Sequence, residues 1–306
     1  MVVPLLNEEG VVEELITRVT KSVEKITQDY EIILVDDGSQ DATWGKIDVA
    51  SNLEIRIKGL RFSRNFGHHY AITAGLREAL GEWVVVMDGD LQDRPEVIPE
   101  LYLKAQEGYE VVFVSRENRP ERLYYKLAQR FFYWTLRFLS GIDFDSTQAN
   151  FSIINERVVK AFNRFPENAR FYGSTIKWLG FKRTALPATH GNRFSGKTSY
   201  TFRKRLTLAL DIIVAFSDRP LKFAIGLGAI ISATTVLAVV WITFAKLSRD
   251  FAVSGWTSLI VAIFFFSGVI IFLLGILGIY VGRIFHEVKS RPLYVVKEIK
   301  NINSYN

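Results

Sequence analysis

The sequence predicts an α/β fold: a doubly wound, mostly parallel sheet within residues 1–200, followed by two helices that cross a membrane. Three features carry this reading. Short β-rich runs alternate with amphipathic runs, polar turns follow the β-rich runs, and two long segments beyond Lys222 carry no charge. Alternation of strands and helices implies βαβ units and hence parallel neighbours.

Val2–Leu5, Glu31–Val35, Glu54–Leu60, Trp83–Met87 and Val111–Val114 read as strands. Between them Val11–Ile26, Ala42–Ala50, His68–Leu80 and Glu96–Gln106 place apolar residues three and four apart, the spacing of a helix with one buried face. Arg119 to Leu139 reads as a long helix that mixes Arg119, Arg122, Lys126, Arg130 and Arg137 with seven aromatic residues. That mixture suits a membrane interface, or ordinary packing with a solvated basic face. Arg203 to Ser217 reads as a juxtamembrane helix that leads through Pro220 into the first span.

Phe223–Ala245 and Phe251–Gly282 contain no charged residue. About 20 apolar residues cross the roughly 30 Å hydrocarbon core as a helix, so each run is long enough to span. Arg203, Lys204, Arg205, Arg219 and Lys222 precede the first span, and Arg283, Lys289, Arg291, Lys297 and Lys300 follow the second. The connecting loop holds only Lys246 and Arg249, partly offset by Asp250. The positive-inside rule then places both termini in the cytoplasm, consistent with an integral protein of the cell inner membrane. The expected organisation is a cytoplasmic catalytic domain over 1–200, a juxtamembrane helix over 201–222, spans over 223–245 and 257–282, an external loop over 246–256, and a cytoplasmic tail over 283–306.

With 49 % hydrophobic and 23 % charged residues, the chain is not a disordered protein. The absence of cysteine excludes disulfides, thiolate metal sites and a cysteine nucleophile. The opening Met-Val-Val-Pro has neither the basic nor the apolar region of a signal peptide, so none is expected. The net charge of +6 borders the apolar spans, where anionic lipid is a sufficient partner, and a nucleic-acid partner is not implied.

In a doubly wound sheet, ligands bind at the carboxyl ends of the strands. Here those ends are Asn7-Glu8-Glu9, Asp36-Asp37-Gly38-Ser39 and Asp88-Gly89-Asp90. Two carboxylates on one turn repel each other, and Mg²⁺ or Mn²⁺ relieves the repulsion while filling its other positions with water and phosphate oxygens. Asp88 and Asp90 are therefore candidate metal ligands, with Gln92 as a further oxygen donor; the bland alternative is a solvated turn. A carboxylate at Asp36-Asp37 can accept from a base N–H or ribose hydroxyls, while Ser39 or Asp41 can equally cap the next helix. Pro4, Leu6 and Glu8 end the neighbouring strand and can wall the same pocket.

Pro4-Leu5-Leu6-Asn7-Glu8-Glu9, Val35 to Asp41, Ser63-Arg64-Asn65-Phe66-Gly67-His68, Met87 to Asp93 and Ser115-Arg116 occur in one order. This series resembles the inverting GT-A glycosyltransferases of family 2, in particular the polyprenyl-phosphate branch. The resemblance extends through Arg193 to Tyr200, Ser217 to Leu221 and Gly282 to Lys289, and so covers nearly the whole chain. It implies a GT-A catalytic domain that moves one hexose, with inversion, from a nucleotide sugar such as UDP-glucose to undecaprenyl or dolichyl phosphate. It implies that Pro4, Leu6, Glu8, Asp36 and Asp37 bind the nucleotide and that Asp88, Asp90 and Gln92 hold Mg²⁺ or Mn²⁺. Arg116 is then placed near the sugar or acceptor phosphate, Arg122 and Arg130 at the acceptor phosphate, and Arg193 with Lys197 on a loop closing over the phosphates. Two other readings stay open: a hydroxyl acceptor on a glycolipid or saccharide, and a silent membrane scaffold that binds nucleotide sugar. Gly275, Gly278 and Gly282 permit close helix packing within or between subunits, which is compatible with a homo-oligomer.

The chain departs from the family pattern at Asn150, where relatives often carry aspartate before phenylalanine. Asparagine cannot serve as a general base, which a hydroxyl acceptor needs. A phosphate monoester, with a second pKa of about 6, is already largely dianionic at neutral pH. The departure thus favours a lipid-phosphate acceptor. Leu6 stands where many members have an aromatic residue, and Ser199 where many have lysine.

Overall fold

The computed structural model describes residues 1–116, 148–165, 167, 170–188, 217–248 and 255–302. They fall into two compact units. One holds the described residues of 1–188 together with 291–302; the other holds 217–248 and 255–290.

The first unit is built on an eight-stranded sheet. Its strands are β1 (Val2–Leu5), β2 (Ile32–Asp36), β3 (Ile57–Phe62), β4 (Trp83–Val86), β5 (Val111–Arg116), β6 (Gln148–Asn155), β7 (Arg183–Ala188) and β8 (Val296–Lys300). The helices are α1 (Val12–Val23), α2 (Thr43–Leu53), α3 (His68–Glu78), α4 (Ile98–Gln106), α5 (Glu156–Asn163) and α6 (Tyr172–Trp178). The spatial order is β7-β5-β6-β4-β1-β2-β3-β8. Pairings β1–β2, β1–β4, β2–β3 and β5–β7 are parallel, whereas β6 lies antiparallel between β4 and β5, and β8 antiparallel beside β3. The expected mostly parallel sheet is therefore present, with its five leading strands within a few residues of the expected bounds.

Both faces of the sheet are covered, as a parallel sheet requires. Val3, Leu5, Ile32 and Leu34 pack with Leu15, Trp44, Ile47, Ile98 and Leu101 from α1, α2 and α4. The alternate residues Val2, Ile33, Val35, Leu60 and Phe62 pack with Ile72, Val158, Phe162, Tyr172 and Ile176 from α3, α5 and α6. Period-two alternation along the strands thus splits the core into two layers. Arg18 of α1 donates from Nε and Nη2 to the two carboxylate oxygens of Glu96, each at 2.8 Å, and so ties α1 to the segment before α4.

The chain runs from β1 outward through β2 to β3, then crosses back to place β4 on the other side of β1. That reversal makes a crevice at the carboxyl ends of β1 and β4. Because β6 runs the opposite way, its first residues reach this same edge. Val296–Lys300 falls within the region expected as a tail; instead it forms the edge strand β8, paired Leu60↔Ile299 and Arg61↔Glu298.

The second unit contains α7 (Arg219–Ser248) and α8 (Trp256–Val288). Both are long and apolar enough to cross a membrane, with windows of mean hydropathy 1.8 and 2.7. Trp241, Phe264 and Ile271 are exposed, so these helices do not form a soluble core. Tyr280 Oη donates to the Ser217 carbonyl oxygen at 2.8 Å. The helices expected over Arg119–Leu139 and Arg203–Ser217 lie almost entirely outside the described residues.

Candidate active site

The β1 and β2 ends are laced together by their own polar groups. Asn7 N–H donates to Ser39 Oγ, Gln40 N–H to Asn7 Oδ1 and Glu8 N–H to Thr43 Oγ1, each at 2.9 Å. Glu9 N–H donates to Asp41 Oδ2 at 3.1 Å, and Ala42 N–H returns a bond to Glu9 Oε2 at 2.9 Å. Asn7 takes a left-handed φ of 54°, which asparagine tolerates better than most residues. These bonds pay for turning two strand ends into one rigid rim, on which Leu6 is exposed, Glu8 half-buried and Pro4 buried.

Asp36 and Asp37 are both enclosed. Asp36 Oδ1 accepts from Ser39 N–H at 2.9 Å, while Oδ2 lies 3.4 Å from Arg61 Nε. Asp37 accepts from Phe66 N–H at 2.7 Å and from Gly67 N–H at 3.0 Å. Burial pushes the Asp37 carboxyl above its ordinary pKa against the pull of these two amides. Gly38, at φ 75°, lets the turn touch the next loop: a Cβ there would stand 2.3 Å from the Arg64 carbonyl carbon. Both aspartates therefore hold backbone, and the sequence pattern alone does not reveal these partners.

At the end of β4, Gly89 brings the acidic turn against β1. A Cβ at Gly89 would lie 2.3 Å from Leu5 Cδ2 and 2.9 Å from the Pro4 carbonyl oxygen. Gln92 N–H donates to Asp90 Oδ1 at 3.1 Å. Leu91 adopts φ 56° with its side chain 3 % exposed, so burial fixes a backbone form that costs a non-glycine residue about 1–2 kcal/mol.

His68 Nε2 lies 3.1 Å from Asp88 Oδ1 and 3.2 Å from Asn150 Nδ2. The register Val86↔Ser152 explains the meeting, because it carries Asn150 on antiparallel β6 to the Asp88 turn. Burial opposes a charged His68, but Asp88, together with the charges of Asp37 and Asp90, pushes its pKa above the ordinary imidazole value. His68 Nε2 and Asn150 Nδ2 stand at hydrogen-bond distance, and which of them donates follows from the imidazole tautomer. His68 closes the Ser63–His68 motif, yet no periodicity marks its role, because a contact across three elements creates it. Neighbouring His69 accepts from Tyr172 N–H at 3.4 Å through Nδ1, and burial lowers its pKa to about 3.

Asp88 and Asp90 suit a hard divalent cation by donor chemistry: two carboxylates on one turn that follows the carboxyl end of β4. Among the described residues no three acidic or histidine side chains converge into a cage. The set therefore fits Mg²⁺ or Mn²⁺, which complete their shells with water and phosphate, better than a closed structural ion. Arg116 is the last residue of β5, at the same edge. Arg122, Arg130, Arg193 and Lys197 lie outside the described residues.

Residues 1–164 match the model of the family described as Glycosyl transferase family 2. The chain belongs to glycosyltransferase family 2. The family 2 glycosyltransferase is 38 % identical over 99 % of its length to an uncharacterized glycosyltransferase, YkcC, of Bacillus subtilis, covering 94 % of that protein. It is 32 % identical to a prophage bactoprenol glucosyl transferase homolog of Escherichia coli, over 98 % of each chain. It is also 31 % identical to an undecaprenyl-phosphate 4-deoxy-4-formamido-L-arabinose transferase of an Enterobacter strain, over 98 % of this chain and 92 % of that one. Among solved structures it is similar to a Pyrobaculum calidifontis mannosyltransferase in complex with GDP-Man and Mn²⁺, at 18 % identity and TM-score 0.49 over 70 % of this chain and 62 % of that one.

Proposed function

We propose that this family 2 glycosyltransferase transfers one hexose from a nucleotide sugar, UDP-glucose or a close analogue, to a polyprenyl phosphate at the cytoplasmic leaflet. The observation that carries the reading is Asn150: an amide, 3.2 Å from the histidine that meets Asp88, stands where a carboxylate base would serve a hydroxyl acceptor. Two apolar helices on the same chain support an acceptor whose tail stays in lipid. The names of the two polyprenyl-linked relatives support the same acceptor class.

In this reading the nucleoside rests on the rim of Pro4, Leu6 and Glu8, with Asp36 and Asp37 fixing the turn beneath it. Asp88 and Asp90, with Gln92, would hold a divalent cation that neutralises charge on the departing diphosphate. An oxygen of the acceptor phosphate attacks the anomeric carbon from the face opposite the leaving group. The bond from that carbon to the nucleoside diphosphate breaks, and configuration inverts. No proton needs to leave the dianionic nucleophile, and the neutral Asn150 avoids the repulsion a carboxylate would exert. Arg116, Arg122 and Arg130 are assigned to the sugar and acceptor phosphate, and Arg193 with Lys197 to charge on the donor phosphates.

A panel of nucleotide sugars tests this with purified protein, Mg²⁺ or Mn²⁺, and undecaprenyl phosphate beside saccharide and glycolipid acceptors. The expected product is a lipid-linked sugar phosphodiester that mild acid cleaves. Transfer to hydroxyl acceptors alone would overturn the acceptor assignment, and neither transfer nor donor hydrolysis with any lipid would leave a silent binding protein.

A further inference from the structure

Three residues from distant parts of the chain stand in one row across the sheet. The register pairs Asp36 of β2 with Arg61 of β3, and Arg61 with Glu298 of β8. Arg61 Nε lies 3.4 Å from Asp36 Oδ2, and its Nη1 donates to Glu298 Oε1 at 2.9 Å. Trp44 Nε1–H donates to Glu298 Oε2 at 3.0 Å, and the Arg61 guanidinium lies 5.7 Å from the Trp44 ring centroid. Glu298 is thus held by two donors, while Asp36 Oδ2, fully buried, has no hydrogen-bond partner among the described residues.

This sharing of one guanidinium has a directional consequence. Arginine prefers a bidentate fork on a single carboxylate. Glu298 draws the Nη1 end of Arg61 outward and leaves Asp36 at ion-pair distance, free to keep its Oδ1 bond to Ser39 N–H. Ser39 Oγ in turn accepts from Asn7 N–H, so the position of Asp36 is transmitted to both strand ends that form the rim.

We infer that Glu298, on the strand that follows the two apolar helices, is a positioning residue for nucleoside diphosphate binding, acting through Arg61 and Asp36. Without its charge, Arg61 closes onto Asp36, pulls that carboxylate from Ser39 and loosens the β1–β2 rim. The inference rests on the proposal that this rim receives the nucleoside.

The test uses the full chain in detergent micelles with Mn²⁺, and titrates UDP and GDP separately by calorimetry, following whichever binds the wild type. Glu298→Gln is expected to raise Kd about tenfold, the loss of roughly one charge-assisted hydrogen bond, with the number of sites unchanged. In an Arg61→Lys background, which keeps the charge but loses the fork, the same change should shift Kd by less than about threefold. A strand with a merely structural role would lower the thermal midpoint or the number of competent sites and leave Kd within about twofold, which overturns the proposal. Equal effects in both backgrounds overturn the route through Arg61. Asp36→Asn separates the two levels. If it weakens binding and Glu298→Gln does not, only the relay fails; if neither weakens it, or if the wild type binds neither nucleotide, the nucleoside-site reading fails too.

Discussion

One methyl group at Gly89 probes the geometry on which the candidate site depends. In Gly89→Ala the new Cβ would stand 2.3 Å from Leu5 Cδ2 and 2.9 Å from the Pro4 carbonyl oxygen. Carbon atoms rest at about 3.5–4.0 Å, so the deficit at Leu5 exceeds about 1 Å. Leu5 is 2 % exposed and cannot move outward, and Pro4 is fixed by its pairing with Val35. The acidic turn must yield instead. Overpacking of this kind costs about 1–3 kcal/mol, and each kcal/mol lowers the midpoint by about 2–4 °C in a domain of this size. Moving a reacting group by about 1 Å costs about a hundredfold in rate. Gly89→Ala is therefore expected to keep its fold and lose about 99 % of its turnover. The assay is sugar transfer to undecaprenyl phosphate at saturating donor and acceptor, beside a thermal melt. Gly45→Ala is the control: nothing lies within 4 Å of its Cβ, and it sits inside α2. There the exchange should stabilise the helix by about 0.5–1 kcal/mol and leave turnover alone. Wild-type turnover in Gly89→Ala would refute the claim that close approach to β1 sets the Asp88–Asp90 geometry.

Three further outcomes are expected. Asp90→Ala should abolish transfer, and chelation should do the same in the wild type until Mg²⁺ or Mn²⁺ is restored; full activity after exhaustive chelation would remove the metal assignment. Asn150→Asp should not raise turnover with a phosphate acceptor, because it adds a charge near an anionic nucleophile; a rise of about tenfold or more would show that a base was missing after all. Stability should fall with acid through His69, whose folded pKa of about 3 lies below the unfolded value of about 6.5. The unfolded chain takes up a proton that the native state refuses, so this contribution is complete above about pH 6.5 and declines by up to about 1.4 kcal/mol per pH unit toward pH 3. Denaturant melts of wild type and His69→Gln between about pH 7 and 4 check it, and parallel curves would contradict it.

The sequence by itself determined the strands β1 to β5, the helices between them, the acidic turn at Asp88 and the two apolar helices. Those elements follow from local rules: apolar alternation, helical spacing, turn residues, and runs without charge. The tertiary structure alone decided what each polar group does. Asp36 and Asp37 look equally free in the sequence, yet one faces Arg61 and the other grips the Phe66 and Gly67 amides. His68 gains its place only because β6 runs antiparallel and returns Asn150 to the end of β4. Val296–Lys300 is short and charged, and its partner β3 lies more than two hundred residues away, so no local pattern marks it as part of the sheet. Periodicity reports which face of an element is buried. Strand order and register report what that face meets, and those are properties of the whole chain.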